Sequence, residues 1–425
     1  MILLQHPPVF RAAFVIGMAC LLGTAVSPGA ESVASPAALE SLKYQFGTAA
    51  PANGRASVSP DLAYSAEHGY GFEPESAGRS RYFSVALPEG NYKVTVMLGD
   101  AKDATDTTVK AELRRLMLLN VATKPGEFVT KSFIVNVRRP AIVVDGKTTA
   151  NVSLKKPREN SGESGQEAWA WDDKLTLEFS GAHPSVQSLD VEKADVPTVY
   201  LMGDSTMCDQ YAEPWTSWGQ MLTYYLKPDI AVSNQAESGE TLADSLGRKR
   251  FDKIWSTIKK GDYLFIQFGH NDMKSTAPGA LETYKANLKK VIGQAKTLGA
   301  TPVIVSSMER KNGITSSTLM GYPEAAIEVA KAENVPWIDL HTTSQTLYAA
   351  IGADLNKAFV DGTHHTRYGS TEIVKCIVLG IQNDKLDLAA HIVDGFTFDP
   401  AHPDTPAQIN IPASAVIDPT APAGN

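Results

Sequence analysis

A hydroxyl, an imidazole and a carboxylate that could act together occur in a suggestive order in this 425-residue chain. Ser205 lies in Gly203-Asp204-Ser205-Thr206, and Asp361 and His364 lie in Asp361-Gly362-Thr363-His364. A serine hydroxyl is a weak nucleophile until a base takes its proton during attack. His364 can be that base, and Asp361 can accept from the other ring nitrogen and hold the tautomer. His365 is a competing base, but the three-residue spacing to Asp361 favours His364. Between these blocks stand Ser238-Gly239 and Gly269-His270-Asn271-Asp272. A carbonyl under attack builds negative charge on its oxygen, and each preplaced donor there is worth on the order of 3 kcal/mol. Candidate donors are the Ser205 backbone N–H, the Gly239 backbone N–H, where no Cβ blocks close approach, and the Asn271 amide. Together these groups supply what ester hydrolysis requires.

Alone, each block has an ordinary structural reading: a helix-capping serine, a turn glycine, a strand-end asparagine, a capping Asp-x-x-His turn. Their placement on the chain changes that. From about Asp195, apolar runs at 196–202, 230–233, 263–268, 303–306 and 337–340 alternate with amphipathic helical patterns near 216–227, 244–258, 281–298, 322–333 and 366–382. In the third of these, Tyr284, Leu288, Val291, Ile292 and Ala295 recur at helical spacing. Such alternation predicts a parallel sheet covered on both faces. Reactive groups in these sheets gather at the carboxyl ends of the strands, and Ser205, Gly239 and Asn271 all fall there. Ser205 is expected on a strand-to-helix turn whose N–H groups point at it. There is no Gly-x-Ser-x-Gly elbow, which argues against an ordinary α/β-hydrolase.

Three further residues are candidate substrate contacts: His270 beside Asn271, Asp204 beside the nucleophile, and Trp215, whose ring could stack on a sugar. Core packing is the competing reading for Trp215 and Trp218. Arg248, Lys249, Arg250 and Lys253 could meet acidic sugars, although a solvated helix face is their default. No His-Glu-x-x-His or clustered ligand spacing suggests a metal, and no cofactor is expected.

The rest of the chain reads differently. Arg11, an apolar stretch over 12–26 and small residues at 27–30 have the pattern of a secretory signal peptide, so residues 1–30 are expected to be removed and the protein to be secreted or periplasmic. Residues 31–193 are expected to form an all-β sandwich. Its strand-like runs include 83–87 and 92–98, predicted to pair as a hairpin around Pro88-Glu89-Gly90-Asn91, then 109–119, 128–137, 150–154, 174–179 and 186–191. The catalytic domain is expected over 196–388, and a proline-rich tail over 389–425 either straps the surface or is loose. Cys208 and Cys376 could pair or be buried thiols. The net charge of −8 argues against general nucleic-acid binding, nothing after the leader reaches membrane-spanning length, and a monomer is expected.

The four blocks in this order resemble the SGNH (GDSL-type) hydrolase superfamily, with Ser205, Gly239, Asn271 and His364 at the block positions and Asp361 as partner. The wording Tyr200-Leu-Met-Gly-Asp-Ser-Thr-Met207, Asn234-Gln-Ala-Glu-Ser-Gly239 and Phe265-Ile-Gln-Phe-Gly-His-Asn-Asp272 resembles the rhamnogalacturonan acetylesterase branch. The resemblance, over about 196–385, implies a flavodoxin-like three-layer α/β/α fold, no cofactor, and removal of O-acetyl groups from an acetylated pectic polysaccharide or oligosaccharide. It departs at Glu240, where many relatives carry Arg; a carboxylate there bears on how an acidic sugar sits. The same chemistry would serve a lipase, a thioesterase or a xylan deacetylase, and an inert hydrolase domain on a carbohydrate-binding protein is a further alternative. Residues 42–191 more loosely resemble galactose-binding-like sandwiches. There Tyr64, Tyr70, Phe72, Trp169 and Trp171 could form a sugar platform, or the domain could be purely structural.

Overall fold

Alternation of apolar residues builds both parts of the structure. The computed structural model describes residues 41–47, 54–73, 81–155 and 166–422, all within one compact unit; the expected signal peptide lies outside them. The first part is β1 (Leu42–Phe46), β2 (Ala56–Val58), β3 (Tyr70–Phe72), β4 (Arg81–Ala86), β5 (Gly90–Gly99), β6 (Thr105–Ala111), β7 (Arg115–Thr123), β8 (Phe128–Val137), β9 (Ala141–Val144), β10 (Lys147–Asn151), β11 (Lys174–His183) and β12 (Val186–Lys193). Two five-stranded sheets run β2-β1-β12-β5-β8 and β3-β4-β11-β6-β7, with β9 and β10 as a separate pair. Alternate residues of β5, Tyr92, Val94, Val96 and Leu98, point inward. They share one core with Val109, Leu175 and Leu177 of the facing sheet, which makes the sandwich.

Two local expectations fail here. The segments around Pro88 are both strands but not a hairpin: β4 pairs with β3 and β11, while β5 pairs with β12 and β8. The connection crosses between sheets because each strand finds its buried partners in a different one, and Leu87 N–H bonds Asp173 O instead of closing a tight turn. The run 109–119 is also two strands. Glu112 and Arg114 adopt positive φ (55° and 65°) and fold β6 back onto β7.

The second part is the expected parallel sheet: β13 (Thr198–Gly203), β14 (Ala231–Asn234), β15 (Tyr263–Gln267), β16 (Thr301–Val305) and β17 (Trp337–Ile338), in the order β14-β13-β15-β16-β17. Every pairing in it is parallel. Its helices are α1 (Trp218–Leu222), α2 (Leu242–Gly247), α3 (Arg250–Trp255), α4 (Ala280–Thr297), α5 (Tyr322–Ala332), α6 (Leu340–Ile351), α7 (Leu355–Ala358) and α8 (Arg367–Asn383). Val199 and Leu201 enter one apolar core with α1, α6 and α8, while Tyr200 and Met202 enter the opposite core with α2, α3, α4 and α5. That period-two division produces the three layers. In this strand order the direction of winding reverses between β13 and β15, where ligands bind in such folds. The pattern near 244–258 splits into α2 and α3 at Lys249, which takes φ 63°; α6 was not anticipated.

The tail is a strap. Ser414 Oγ accepts from Lys110 at 2.7 Å and donates to Glu178 at 2.8 Å. Beyond it, Glu213 N–H bonds Val416 O and Asp418 N–H bonds Glu213 O. One side of the strap therefore lies on the sandwich and the other on the loop before α1. Buried ion pairs join the same two regions: Arg115 reaches Asp209 at 2.8 Å and Arg114 reaches Glu213 at 2.6 Å. Cys208 and Cys376 are both free and buried. No helix among the described residues is long and apolar enough to cross a membrane.

Candidate active site

Ser205 follows β13 directly. The residue before it, Asp204, is fully buried, and one carboxylate oxygen accepts from Thr206 N–H (3.0 Å) and Thr206 Oγ1 (2.8 Å). Asp204 O also accepts from the N–H groups of Met207 and Cys208, which closes a single tight turn. No helix begins there, since α1 starts only at Trp218, so the expected helix-terminal field at Ser205 is absent and the turn itself presents the hydroxyl.

His364 reaches this turn from the far end of the chain. Its Nε2 lies 2.8 Å from Ser205 Oγ, and its Nδ1 lies 2.8 Å from Asp361 Oδ2. The other Asp361 oxygen accepts the N–H groups of Thr363 (2.7 Å) and His364 (2.6 Å). Asp361 is thus held by the backbone of its own loop, with one oxygen left for the ring. This fixes Nδ1 as the protonated nitrogen and leaves Nε2 to take a proton from Ser205. His365 cannot compete. It is buried, its Nε2 bonds Tyr348 Oη at 2.9 Å, and burial together with the neighbouring His364 pushes it down to about 3.

The second and third blocks close around the same serine. Gln210 Nε2 bonds Ser205 O at 2.7 Å and Ser238 Oγ at 3.3 Å, which ties the second block to the first. Gly239 takes φ 71°, a left-handed conformation that glycine adopts without strain. Among the described residues, neither the Ser205 nor the Gly239 N–H donates within the chain. Asn271 Nδ2 donates to Glu240 O at 3.0 Å while its Oδ1 accepts from Lys274 at 3.1 Å. The two contacts set which way the amide faces, and one of its N–H bonds is left over. Asp272 Oδ1 accepts Leu242 N–H, anchoring the third block to α2.

The expected substrate roles of His270, Asp204 and Trp215 need correction. His270 is buried, and its ring nitrogens lie 3.3 Å from Asp204 Oδ2 and 2.9 Å from Met308 O. Burial raises the Asp204 carboxyl, but His270 and the Thr206 donors outweigh this and hold it below its ordinary value. These two residues brace the nucleophile turn from beneath and offer no free polar atom to a ligand. Trp215 is also buried: its Nε1 bonds Asp418 O, and its ring meets the His364 ring edge-on at 5.7 Å. It packs the imidazole in place. Trp218 is core, with Nε1 on Gln267.

The departure at Glu240 is also answered. Its buried carboxylate pairs with Lys155 (3.3 Å) and Arg248 (3.0 Å). Lys155 comes from the segment after β10, and its Nζ also bonds Ser238 O, one residue before Gly239. Nothing in the local sequence around Lys155 signals this. Arg250 and Lys253 leave the solvated face assumed for them and turn toward the sandwich, pairing with Glu167 (2.6 Å) and Glu89 (2.6 Å). Burial and the nearby Glu167 lift Glu237 to about 8, against the opposing pull of Arg250. Among the described residues, no group of three or more His, Cys, Asp or Glu side chains is placed to hold a metal.

A nucleophile, an oriented base and free backbone donors at the switch point of a parallel sheet form an acyl-transfer site. The model of the GDSL-like lipase/acylhydrolase family matches residues 201–370, which span all four blocks. Rhamnogalacturonan acetylesterase RhgT of Bacillus subtilis is 34% identical over 217 residues, covering 46% of this chain and 94% of the relative. The chain belongs to the GDSL-like lipase/acylhydrolase family. Like other members of this GDSL-like family, it is a carboxylic ester hydrolase. The esterase YxiM of the same bacterium, whose activity is not characterised, is 25% identical over 371 residues, 79% of this chain and 89% of that one. The YxiM crystal structure aligns over 82% of this chain and 99% of its own, at 23% identity and a TM-score of 0.46.

Proposed function

We propose that this protein is an exported, monomeric serine carbohydrate esterase that removes acetyl groups from rhamnogalacturonan. The observation that carries the reading is the hydrogen-bonded chain Ser205–His364–Asp361, with 2.8 Å at each link. Ser205 Oγ attacks the acetyl carbonyl carbon as His364 Nε2 takes its proton. Asp361 stabilises the imidazolium without itself being protonated. The Ser205 and Gly239 N–H groups and the Asn271 amide receive the oxyanion. As the tetrahedral intermediate collapses, His364 protonates the leaving sugar oxygen and Ser205 keeps the acetyl group. Water, deprotonated by His364, then releases acetate.

The substrate class follows from the similarity to RhgT, which is named a rhamnogalacturonan acetylesterase. The pairing of Glu240 with Lys155 and Arg248 supports it, because no uncompensated negative charge stands at the second block to repel a uronate backbone. The signal-like pattern over 1–30 supports export, where such a polymer would be met. Acetate release from acetylated rhamnogalacturonan, acetylated xylan and long-chain acyl esters tests the reading. Rhamnogalacturonan should be the preferred substrate, and Ser205→Ala should lower its turnover by at least about 10³-fold. Equal rates for Ser205→Ala and wild type would refute the mechanism, and faster release from xylan would refute the substrate.

A further inference from the structure

The aromatic residues that could have formed a sugar platform on the sandwich are mostly spent. Tyr70 packs on Tyr44 at 4.8 Å, Phe72 on Phe83 at 5.4 Å, and Lys174 sits over Tyr64 at 4.9 Å. Trp171 is 4% exposed beneath Arg138. Trp169 differs: it is 41% exposed and stands on the wall of a cavity of about 240 Å³. Glu112, Asp172, Lys174, Tyr211 and Val416 line the same space. It is smaller than the roughly 300–1,000 Å³ of sites for drug-sized ligands, so it suits a single ring.

We propose that this cavity is a second carbohydrate site, holding one neutral glycosyl residue with its apolar face on Trp169 and its hydroxyls on Glu112 and Asp172. The charges decide for a neutral ring. Lys174 is already paired with Glu73 (2.8 Å) and Asp172 (3.6 Å), and Arg114 with Glu213 (2.6 Å). Glu73 and Asp172 already share the one Lys174 ammonium group, so a uronate would enter with no cation left to balance its charge, while Glu112 is buried and one of its oxygens accepts Thr176 N–H. Burial lifts Glu112 to about 8 and Asp172 to about 6, so near neutral pH Glu112 mostly keeps its proton and can donate as well as accept. The turn that carries Glu112 is held in place: Arg114 donates to Trp215 O at 2.8 Å, to Gln210 O at 3.3 Å and to Ser414 Oγ at 3.2 Å. Both ends of segment 210–215 therefore serve the two sites at once. Gln210 bonds Ser205 O and Trp215 packs on His364, while Tyr211 lines the cavity.

The proposal rests on the carbohydrate esterase reading for its class of ligand. Calorimetric titration of the full chain carrying Ser205→Ala with methyl rhamnoside, methyl galactoside and methyl galacturonoside tests it, since none of these contains an ester. A neutral glycoside should bind saturably. Adding Trp169→Ala should weaken it by about tenfold, whereas adding Trp169→Phe should retain most of the affinity, with far-ultraviolet spectra matching the parent. No binding by either neutral glycoside, tighter binding of the galacturonoside, or unchanged binding with Trp169→Ala would each overturn the site. Glycoside binding without Ser205-dependent acetate release would refute the esterase reading alone. Acetate release without glycoside binding would refute the second site alone.

Discussion

The nucleophile side and the oxyanion side of the active site are built on different scales. On the nucleophile side, Asp204 orders Thr206 and Asp361 orders His364, over two or three residues and mostly through backbone N–H groups. The links distant in sequence are Ser205–His364 and the packing of His270 and Trp215 beneath and beside them. On the oxyanion side, Ser238 and Glu240, which flank Gly239, are held by Lys155, Arg248, Gln210 and Asn271, from the sandwich and from three separate loops or helices. Local hydrogen bonds make the first arrangement robust wherever its sheet folds. The second draws on Lys155 of the β region, which predicts that this region affects catalysis whether or not it binds sugar.

Substitutions on the two sides can break this contrast, and their effects should decrease from the catalytic carboxylate outward. Asp361→Asn should lower kcat by on the order of 10³–10⁴-fold, because the amide favours the wrong tautomer of His364; a steady-state assay on a chromogenic acetate checks it. Asn271→Ala should cost about 10²–10³-fold in kcat. An equal rise in KM instead would show that Asn271 binds the ground state as well. Lys155→Met should lower kcat by about tenfold with KM little changed, since it removes a charge-assisted hydrogen bond of roughly 1.5–3 kcal/mol that acts on Gly239 only through its neighbour. A wild-type rate in Lys155→Met would mean the second block holds itself, and the contrast would fail.

The smallest effect at neutral pH is in stability. The folded value of His365, about 3, lies below its ordinary 6.5, so the stability it contributes is full above about 6.5 and is lost as pH falls toward 3. Asp204 and Glu309 are also depressed and lose stability in acid, but only below the ordinary carboxylate range near 4. Raised carboxylates such as Glu112 and Glu237 gain stability over the same range and act equally in both proteins, so the His365 effect is read as a difference. The gap in urea midpoint between wild type and His365→Gln should move against wild type as pH falls from 6.5 to 4.5, and a gap that does not change with pH would contradict it.

What could be read from the sequence follows the same division. Ser205, His364 and Asp361 were legible because short spacings and strand-end positions constrain them. The parallel sheet was legible because its strands are unbroken apolar runs. Lys155 was not, because a lone lysine in a polar stretch carries no mark of where its ammonium group will land. His270, Asp204 and Trp215 were found near the site but given the wrong face: adjacency to a reactive residue does not tell whether a side chain turns toward ligand or beneath the turn. The supposed hairpin at Pro88 failed because turn chemistry speaks to the connection and not to which sheet each strand joins. Glu240 was legible as a departure that bears on how an acidic sugar sits, but its pairing with Lys155 and Arg248 was not, because neither cation is marked as its partner by the sequence.

The central claim is that Ser205 is a nucleophile activated by His364. Labelling the intact protein with a serine-directed phosphonate, followed by peptide mass spectrometry, tests this most directly. One equivalent should attach, on Ser205, and His364→Ala should slow the labelling by at least about 10²-fold. A label on another serine, or Ser205 labelling at the same rate without His364, would contradict it.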